Sequence, residues 1–262
     1  MRSGTLFWGL FLVLLGGLLL LSNLGIITAS LWGLIWPLLM VLLGVWIIFG
    51  RRLRGALPAQ HVAIPLDGAR SARLRLGHGA GRLTVRGGAA PELLAEGDFA
   101  GGVDLKTRRT GDLLEATLRV DEHAWSDLAF SSGGMEWSVA FNPQVPLDLR
   151  LETGAGEAHI DLTDLLIGEL ELSSGASSTD LALPAHAGLT RAHFSLGAAS
   201  LRVRVPAGVA ARVRSSSGLA TIQVDTLRFP ASGGVYQSPD YETAANRADI
   251  FIEAGAATVE VR

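Results

Sequence analysis

The segment LETGAGEAHIDL, residues 151–162, contains residue types that bind phosphate in some proteins. A Gly-x-Gly turn directly after a strand begins the dinucleotide-binding fingerprint, in which a helix N-terminus holds a pyrophosphate. That fingerprint requires a helix after the glycines, but EAHIDL alternates between polar and apolar residues as a strand does. The segment therefore predicts a structural turn, and we expect no cofactor.

Acidic and histidine side chains suggest other chemistry. A glycosidase needs two carboxylates about 5–10 Å apart, and Asp161 and Asp180 are candidates on neighbouring repeats. Repeat turns that bind calcium need aspartate within the turn, whereas these turns contain Gly, Ala and Ser. The six histidines lack the spacing of metal ligands, and we expect them at the surface. The sequence predicts no catalytic or metal site, and thus a protein that is not an enzyme.

The Gly-Ala-Gly segment is one of six similar segments in the chain. Each has an apolar-x-apolar start, a small-residue turn and an apolar-x-apolar finish. They are LRLGHGAGRLTV (74–85), LRLETGAGEAHI (149–160), LELSSGASSTDL (170–181), AHFSLGAASLRV (192–203), ARVRSSSGLATI (211–222) and IFIEAGAATVEV (250–261). Through the middle of the chain they recur about every 20 residues, which is typical of a β-solenoid whose rungs bury their apolar faces by stacking.

The sequence therefore predicts an all-β fold, a single-stack β-solenoid of about six rungs. Strict alternation places Ala158 and Ile160 inside and Glu157 and His159 outside. Each rung must bend where the small residues lie, because glycine fits a tight corner and readily adopts a positive φ. The predicted rung corners are Gly79, Gly154, Gly175, Gly197, Gly218 and Gly255.

Two intervals between the repeats are longer than one rung. Residues 91–145 predict extra antiparallel strands, which we expect to cap the first end of the stack. The interval before the final repeat predicts a loop, after which residues 250–261 form a last rung that closes the domain. The β-domain is expected to span residues 57–262.

The first 56 residues predict a transmembrane helical hairpin. Residues 5–22 and 31–50 are uncharged and long enough to cross a bilayer core of about 30 Å. Arg2 flanks one end of the hairpin and the RRLR segment at 51–54 flanks the other. The positive-inside rule then predicts two spans in a bacterial cytoplasmic membrane, with the C-terminal domain in the cytoplasm.

Two sets of residues are candidates for contact with a partner. Arg202, Arg204, Arg212 and Arg214 occupy outward positions on successive strands and predict a basic stripe that contacts an acidic partner or anionic lipid headgroups. A solvated face is the alternative. Phe229, Tyr236 and Tyr241 lie among Ser, Pro and Gly in the loop before the last repeat and predict an aromatic interface, although these rings could instead cover the last rung.

Both parts of the chain resemble a bacterial envelope-stress family. The WGLFLVLLGGLLLLSNLGII and WPLLMVLLGVWIIF segments resemble the LiaI/LiaF-type transmembrane region. The VPLDLRLETGAGEAHIDLTDL and YQSPDYETAANRADIFIEAGAATVEV segments resemble the toast-rack and LiaF C-terminal β-domains. The resemblance implies a membrane-anchored regulator that restrains a histidine kinase and its response regulator. Related β-solenoid domains are described as adhesins, and the family has no catalytic motif to transfer.

The sequence therefore predicts a non-catalytic regulatory or scaffolding protein. Its expected partners are the lipid bilayer and a membrane protein such as a histidine kinase. A homo-oligomer is a further alternative. Nucleic acid is not expected, because the only charged residues among the first 60 are four arginines while the whole chain has a net charge of −3, so the β-domain is acidic. The alternative is a structural or adhesin-like module that self-associates through its rung ends.

Overall fold

The computed structural model describes Met40, residues 59–121 and residues 135–262. The chain divides into two compact units, Met1–Arg54 and Gly55–Arg262. The predicted membrane spans lie outside the described residues, apart from Met40, which is helical. Within the described part of the chain, no helix is long and apolar enough to cross a bilayer.

The described part of the second unit is all-β and forms one open sheet of 16 strands. The strands are β1 (Ala59–Pro65), β2 (Ser71–Gly87), β3 (Leu93–Ala100), β4 (Val103–Thr110), β5 (Leu113–Val120), β6 (Met135–Phe141), β7 (Leu147–Asp161), β8 (Ile167–Ala182), β9 (Leu189–Leu196), β10 (Ser200–Arg204), β11 (Ala210–Ser217), β12 (Thr221–Val224), β13 (Ala231–Ser232), β14 (Val235–Gln237), β15 (Arg247–Ala254) and β16 (Thr258–Val261).

Most of the sheet consists of parallel strands stacked in levels, which we call rungs. Their order from the first rung to the seventh is β5 with β6, then β2, β7, β8, β9 with β10, β15 with β16, and β11 with β12. Each rung has a first arm and a second arm, which in the second to seventh rungs are the strand segments before and after a glycine-containing corner; in the first rung they are β5 and β6. The repeated segments thus lie in register above one another.

The spatial order of the rungs differs from their order in the sequence. The prediction that residues 250–261 form the closing rung is wrong, because β15 and β16 lie between β9–β10 and β11–β12. Residues 210–224 form the end rung instead. The repeats present similar apolar faces, so local pattern alone does not determine which of them are neighbours.

Alternation fixes which side chains enter the core. Ala158 and Ile160 are buried while Glu157 and His159 are exposed, as predicted. Leu201 and Val203 are likewise buried on β10. Because side chains alternate between the two faces of a strand, each rung contributes one apolar row to a continuous core.

The strands between residues 91 and 145 extend the first end of the stack in two ways. β3 and β4 pair antiparallel with β6 and β5, and β1 pairs antiparallel with β3. The expectation that all of these strands are antiparallel is wrong, since β5 and β6 pair parallel with β2 and form the first rung. Trp137 and Phe99 are fully buried at this end, with ring centroids 5.0 Å apart.

Candidate functional site

The glycine corners form a column of closely packed backbone. A Cβ atom on Gly154 would lie 2.2 Å from the carbonyl oxygen of Gly79, and one on Gly175 would lie 2.7 Å from that of Gly154. The corresponding distance is 2.8 Å for Gly197 but 3.6 Å for Gly218 in the end rung. Contacts below 3.0 Å cannot be made without movement of the neighbouring backbone, so these three corners exclude any side chain.

Tight packing, one of the two reasons expected for glycine here, explains three of these corners. None of the six predicted corner glycines has a positive φ, whereas a Cβ on Gly154, Gly175 or Gly197 would lie less than 3.0 Å from a backbone oxygen. Gly81 and Gly156, two residues further on, do have a φ of 129°. The segment that resembled a phosphate loop thus has its glycines in backbone packing, and a strand follows it rather than a helix.

A histidine lies inside the corner of β2. His78 is buried, its Nε2 lies 3.3 Å from the Met135 carbonyl oxygen, and its ring packs edge-on against Trp137. Burial lowers the pKa of His78, because the charged imidazolium loses solvation. The expectation of a surface histidine is wrong at this position, since the corner turns the side chain inward.

Four buried hydroxyl side chains lie in the corners of the next two rungs. The Ser177 hydroxyl is within hydrogen-bonding distance of the hydroxyls of Thr153, Ser174 and Thr179. These hydroxyls satisfy one another in an otherwise apolar interior. The hydrogen bond of His78 goes to a backbone carbonyl, so the cluster is not arranged as a nucleophile with its base.

The four candidate arginines do not form one stripe. Arg202 and Arg204 lie on β10, in the second arm of the fifth rung, whereas Arg212 and Arg214 lie on β11, in the first arm of the seventh. β10 pairs with β8 and β16, while β11 pairs with β15 and β14. The prediction of one basic stripe is therefore wrong, because the rung corner and the sixth rung separate the arginine pair on β10 from the pair on β11.

Arg202 lies in a ladder of charges that crosses the rungs. Its guanidinium donates to Glu260 at 3.1 Å and to Asp180 at 2.6 Å. Asp180 also lies 3.7 Å from His159, and Glu260 lies 3.8 Å from Arg262. Glu260 and Asp180 raise the pKa of Arg202. The charge of this arginine is balanced within the domain.

Arg204 also interacts with a carboxylate of its own domain. The Thr163 hydroxyl donates to Asp161 at 2.6 Å and lowers the pKa of that carboxyl, and Arg204 contributes in the same direction. Arg212 donates to Glu242 and to Gln237, and Arg214 donates to Asp249 at 2.9 Å. All four arginines thus have polar neighbours within the domain.

The predicted aromatic interface loop is mostly interior. Phe229 is fully buried, Tyr241 is 5% exposed, and Tyr236 packs against the core. Arg212 stacks over the Tyr241 ring at 4.1 Å from its centroid, and burial raises the pKa of the Tyr241 hydroxyl. The expectation of an exposed aromatic surface is wrong, because Phe229 and Tyr241 are buried and Tyr236 lies on β14, which pairs with the first arm of the end rung.

Two shallow grooves lie on the outer surface. One, of about 500 Å³, runs along the first arms and is lined by side chains of both signs, including Arg73, Asp148, Arg150 and Glu171. Arg150 lies 2.7 Å from Glu171, and Arg73 lies 3.0 Å from Glu115. The other groove, of about 760 Å³, follows the glycine corner. Among the described residues, no group of His, Asp or Glu side chains is arranged to hold a metal ion.

The sequence interpretation missed a surface on the end rung. Leu219 and Leu227 are 90% and 95% exposed, and β12 lies between them. A signal for it was present, because the residue after the corner glycine is alanine in five repeats and leucine only in the repeat of the end rung. The five alanines are Ala80, Ala155, Ala176, Ala198 and Ala256.

Two family models match the chain in the order of its two units. The LiaF transmembrane domain matches residues 7–65, and the N-terminal domain of toast_rack, DUF2154, matches residues 55–204. The second match covers more than half of the chain, with strands β1 to β10 inside it. The chain therefore belongs to the toast-rack family with a LiaF-type membrane domain, which makes it a membrane protein.

One of the similar solved structures shares the fold of the β-domain. The crystal structure of a "putative cell adhesion protein" from Clostridium sporogenes aligns with a TM-score of 0.67 and 20% identity, over 78% of this chain and 98% of that one. A structure described as a "putative adhesin" from Bacteroides fragilis covers 78% of this chain and 97% of its own, with a TM-score of 0.31 and 8% identity. No significant match was found among curated proteins.

Proposed function

We propose that this protein is a non-catalytic, membrane-anchored regulator or scaffold. Its β-domain is a rigid β-solenoid that binds another membrane protein of the envelope-stress response, such as a sensor histidine kinase. The observation that carries the proposal is the combination, in one chain, of a LiaF-type membrane domain with a stacked sheet whose outward charges are paired across the rungs. Such a domain offers a fixed pattern of polar groups rather than a reactive pocket.

The partner surface we propose is the groove along the first arms. Its side chains have a fixed order of charge across the rungs: the row formed by Glu115, Arg73 and Asp148 alternates in sign, whereas the next row places Arg75 beside Arg150. A fixed order of charges favours a partner with the complementary order and penalises others, so it contributes specificity and association rate more than affinity. The membrane anchor holds this groove at high local concentration near other membrane proteins.

Site-specific crosslinking in intact membranes tests the partner. A photoreactive residue at exposed Arg75, which lines the groove, is expected to capture a membrane protein identifiable by mass spectrometry. The matched control places the same residue at exposed Ser178 on the second arm of β8. Equal capture from both positions, or capture of no membrane protein from Arg75, would contradict the proposed surface.

The proposed topology has two membrane spans and a cytoplasmic β-domain. It rests on Arg2 and the arginines at 51–54, which flank two uncharged segments. Protease added to intact cells is expected to leave the β-domain uncut, and protease added after permeabilisation is expected to cut it. Digestion from outside would instead favour the second candidate function, an adhesin-like module, which the name of the similar Clostridium sporogenes structure suggests.

A further inference from the structure

The second arm of the end rung has an open strand edge. Among the described strands, β12 pairs with β16 alone. The Thr221 N–H donates to Ala257 and the Asp225 N–H donates to Val261, both toward the sixth rung. Since backbone groups alternate along a strand, those of Ile222 and Val224 face away from the stack. This edge is a template for one more strand.

The two exposed leucines flank this edge on a well-fixed backbone. The Leu219 N–H donates to Gly255 at 2.9 Å. The turn at Leu227 is held by the Asp225 carboxylate, which accepts from the Leu227 N–H at 3.0 Å, and by Arg228, which donates to Val205 at 2.8 Å. Both side chains are nonetheless almost fully exposed. The leucines therefore project into solvent from rigid positions, as the apolar anchors of an interface do.

The positions of these residues are symmetric about Gln223. Leu219 lies four residues before Gln223 and Leu227 four residues after it. If two copies of β12 pair antiparallel about a two-fold axis at Gln223, Leu219 of each copy lies at the same end of the paired strands as Leu227 of the other. Ile222 then lies opposite Val224, and these residues exchange both of their outward hydrogen bonds. The outward backbone groups of β12 are the ones that this register requires.

The charge of the edge favours a second copy over a different partner. Residues 219–224 have no charged side chain, so the two-fold arrangement brings no like charges together. In this register Asp225 lies opposite Thr221. Of the two edge strands at the other end of the stack, β1 and β4, the second presents Asp104, Lys106 and Arg108, which discourage such pairing. We propose that β12, Leu219 and Leu227 form a homodimer interface between two copies of this chain.

Cysteine crosslinking of the full-length protein in its membrane tests this interface. The chain has no cysteine, so each introduced thiol is the only one present. Gln223→Cys places the two sulfurs on the proposed axis, where non-hydrogen-bonded partners have Cα atoms about 4.5 Å apart, within the range of a disulfide. Mild oxidation is expected to give a covalent dimer in high yield.

Two control variants have a thiol at an equally exposed site elsewhere. Ser200→Cys lies on β10 within the stack, and Thr107→Cys lies on β4 at the opposite end. Both are expected to remain monomeric on oxidation. Mixing the Gln223→Cys protein with an Ala63→Cys protein before membrane reconstitution tests a head-to-tail stack, because exposed Ala63 lies on β1, the edge strand over the second arm at the first end. Only that arrangement yields the mixed disulfide in preference to the Gln223→Cys dimer.

A second variant separates specific contact from collision. Leu219→Asp combined with Leu227→Asp, in the Gln223→Cys background, is expected to reduce the dimer yield at least tenfold while leaving thermal unfolding unchanged, because both leucines are exposed. A monomeric Gln223→Cys protein overturns the proposal. If its thiol also resists maleimide, another segment or another protein covers the edge. The inference does not depend on a signalling partner, since dimerisation is measured without one.

Discussion

The two ends of the rung stack are closed in different ways. At the first end, antiparallel strands cover both arms, β4 on β5 and β3 with β1 on β6. At the seventh rung, β14 covers only Arg212 and Val213 of the first arm, and β12 has no outer neighbour among the described strands. A stack of parallel rungs must end in an unpaired edge unless other strands cover it. At the first end, antiparallel strands thus cover both arms of the outermost rung. At the seventh rung, the second arm is left with an unpaired strand edge.

The corner spacing shows the same difference. A Cβ at the corner would meet the preceding carbonyl at 2.2 Å on Gly154, 2.8 Å on Gly197, 3.2 Å on Gly255 and 3.6 Å on Gly218. Backbone packing at the corner therefore loosens from the third rung toward the seventh. The end that is closed by extra strands is also the end at which glycine is needed most.

The largest expected effect is the loss of the aromatic group that closes the first end. Trp137→Ala removes a fully buried ring that contacts Phe99 and donates from Nε1 to Ala100 at 3.2 Å. We expect the free energy of unfolding to fall by about 3–5 kcal/mol, as for other buried aromatic truncations. Urea denaturation of the detergent-solubilised protein measures it. Phe229→Ala, a fully buried ring that follows β12 at the other end, is the matched variant. A much smaller loss there would show that this end of the stack is more loosely packed than the first.

Substitution of corner glycines tests the gradient along the stack. Gly154→Ala is expected to destabilise the domain by about 3 kcal/mol, the upper part of the range for overpacking, because its Cβ meets a backbone carbonyl. Gly218→Ala makes only an ordinary contact and is expected to be neutral or to stabilise by up to about 1 kcal/mol through a less flexible unfolded chain. Equal denaturation midpoints for these two variants would contradict the gradient.

The buried histidine is expected to make the first end sensitive to acid. Burial lowers the pKa of His78 in the folded state, so the unfolded chain binds the proton more readily. Stability is therefore retained above the unfolded pKa of about 6.5 and lost as pH falls below it through the lower folded pKa. Thermal unfolding between pH 7.5 and 5 should show a drop that His78→Gln reduces. An unchanged pH profile in that variant would assign the drop to other groups.

The smallest expected effect is at the exposed charge ladder. Arg202→Gln removes contacts with Asp180 and Glu260, but these side chains are 40–49% exposed, so solvent and salt screen their interactions. We expect no measurable change in the unfolding midpoint at physiological salt. A clear loss of stability would mean that the ladder helps to hold the fifth and sixth rungs together. Unfolding of the domain would then depend on the middle of the stack as well as on how its two ends are covered.

Much of the β-domain could be predicted because its signals are local. Alternation depends only on the two-residue period of a strand, so the burial of Ala158 and Ile160 and the exposure of Glu157 could be predicted from the sequence. The glycine corners could be located because the small-residue turn recurs along the chain. How tightly each corner packs could not be predicted, since it depends on the distance between a Cβ position on one rung and a carbonyl oxygen on the next.

The candidate contact residues were harder to predict, because burial and pairing depend on distant parts of the chain. Phe229 and Tyr241 lie in a segment that looks like an exposed loop, but it folds over the seventh rung and buries both rings. Arg202 occupies an outward position, as predicted, but its charge is balanced by Glu260, a residue far away in the sequence. Leu219 had a local signal, since it replaces the alanine that follows the other corner glycines.

The sequence by itself determined the all-β class of this domain, its repeated rungs and the face that each side chain occupies. Tertiary structure decided the order of the rungs, with β15 and β16 between β9–β10 and β11–β12. The physical reason is that each repeat presents a similar apolar face to both neighbours, so alternation gives no preference for one neighbour over another. The choice depends on long-range packing and on how the connecting loops and the two ends are covered, which no short segment encodes.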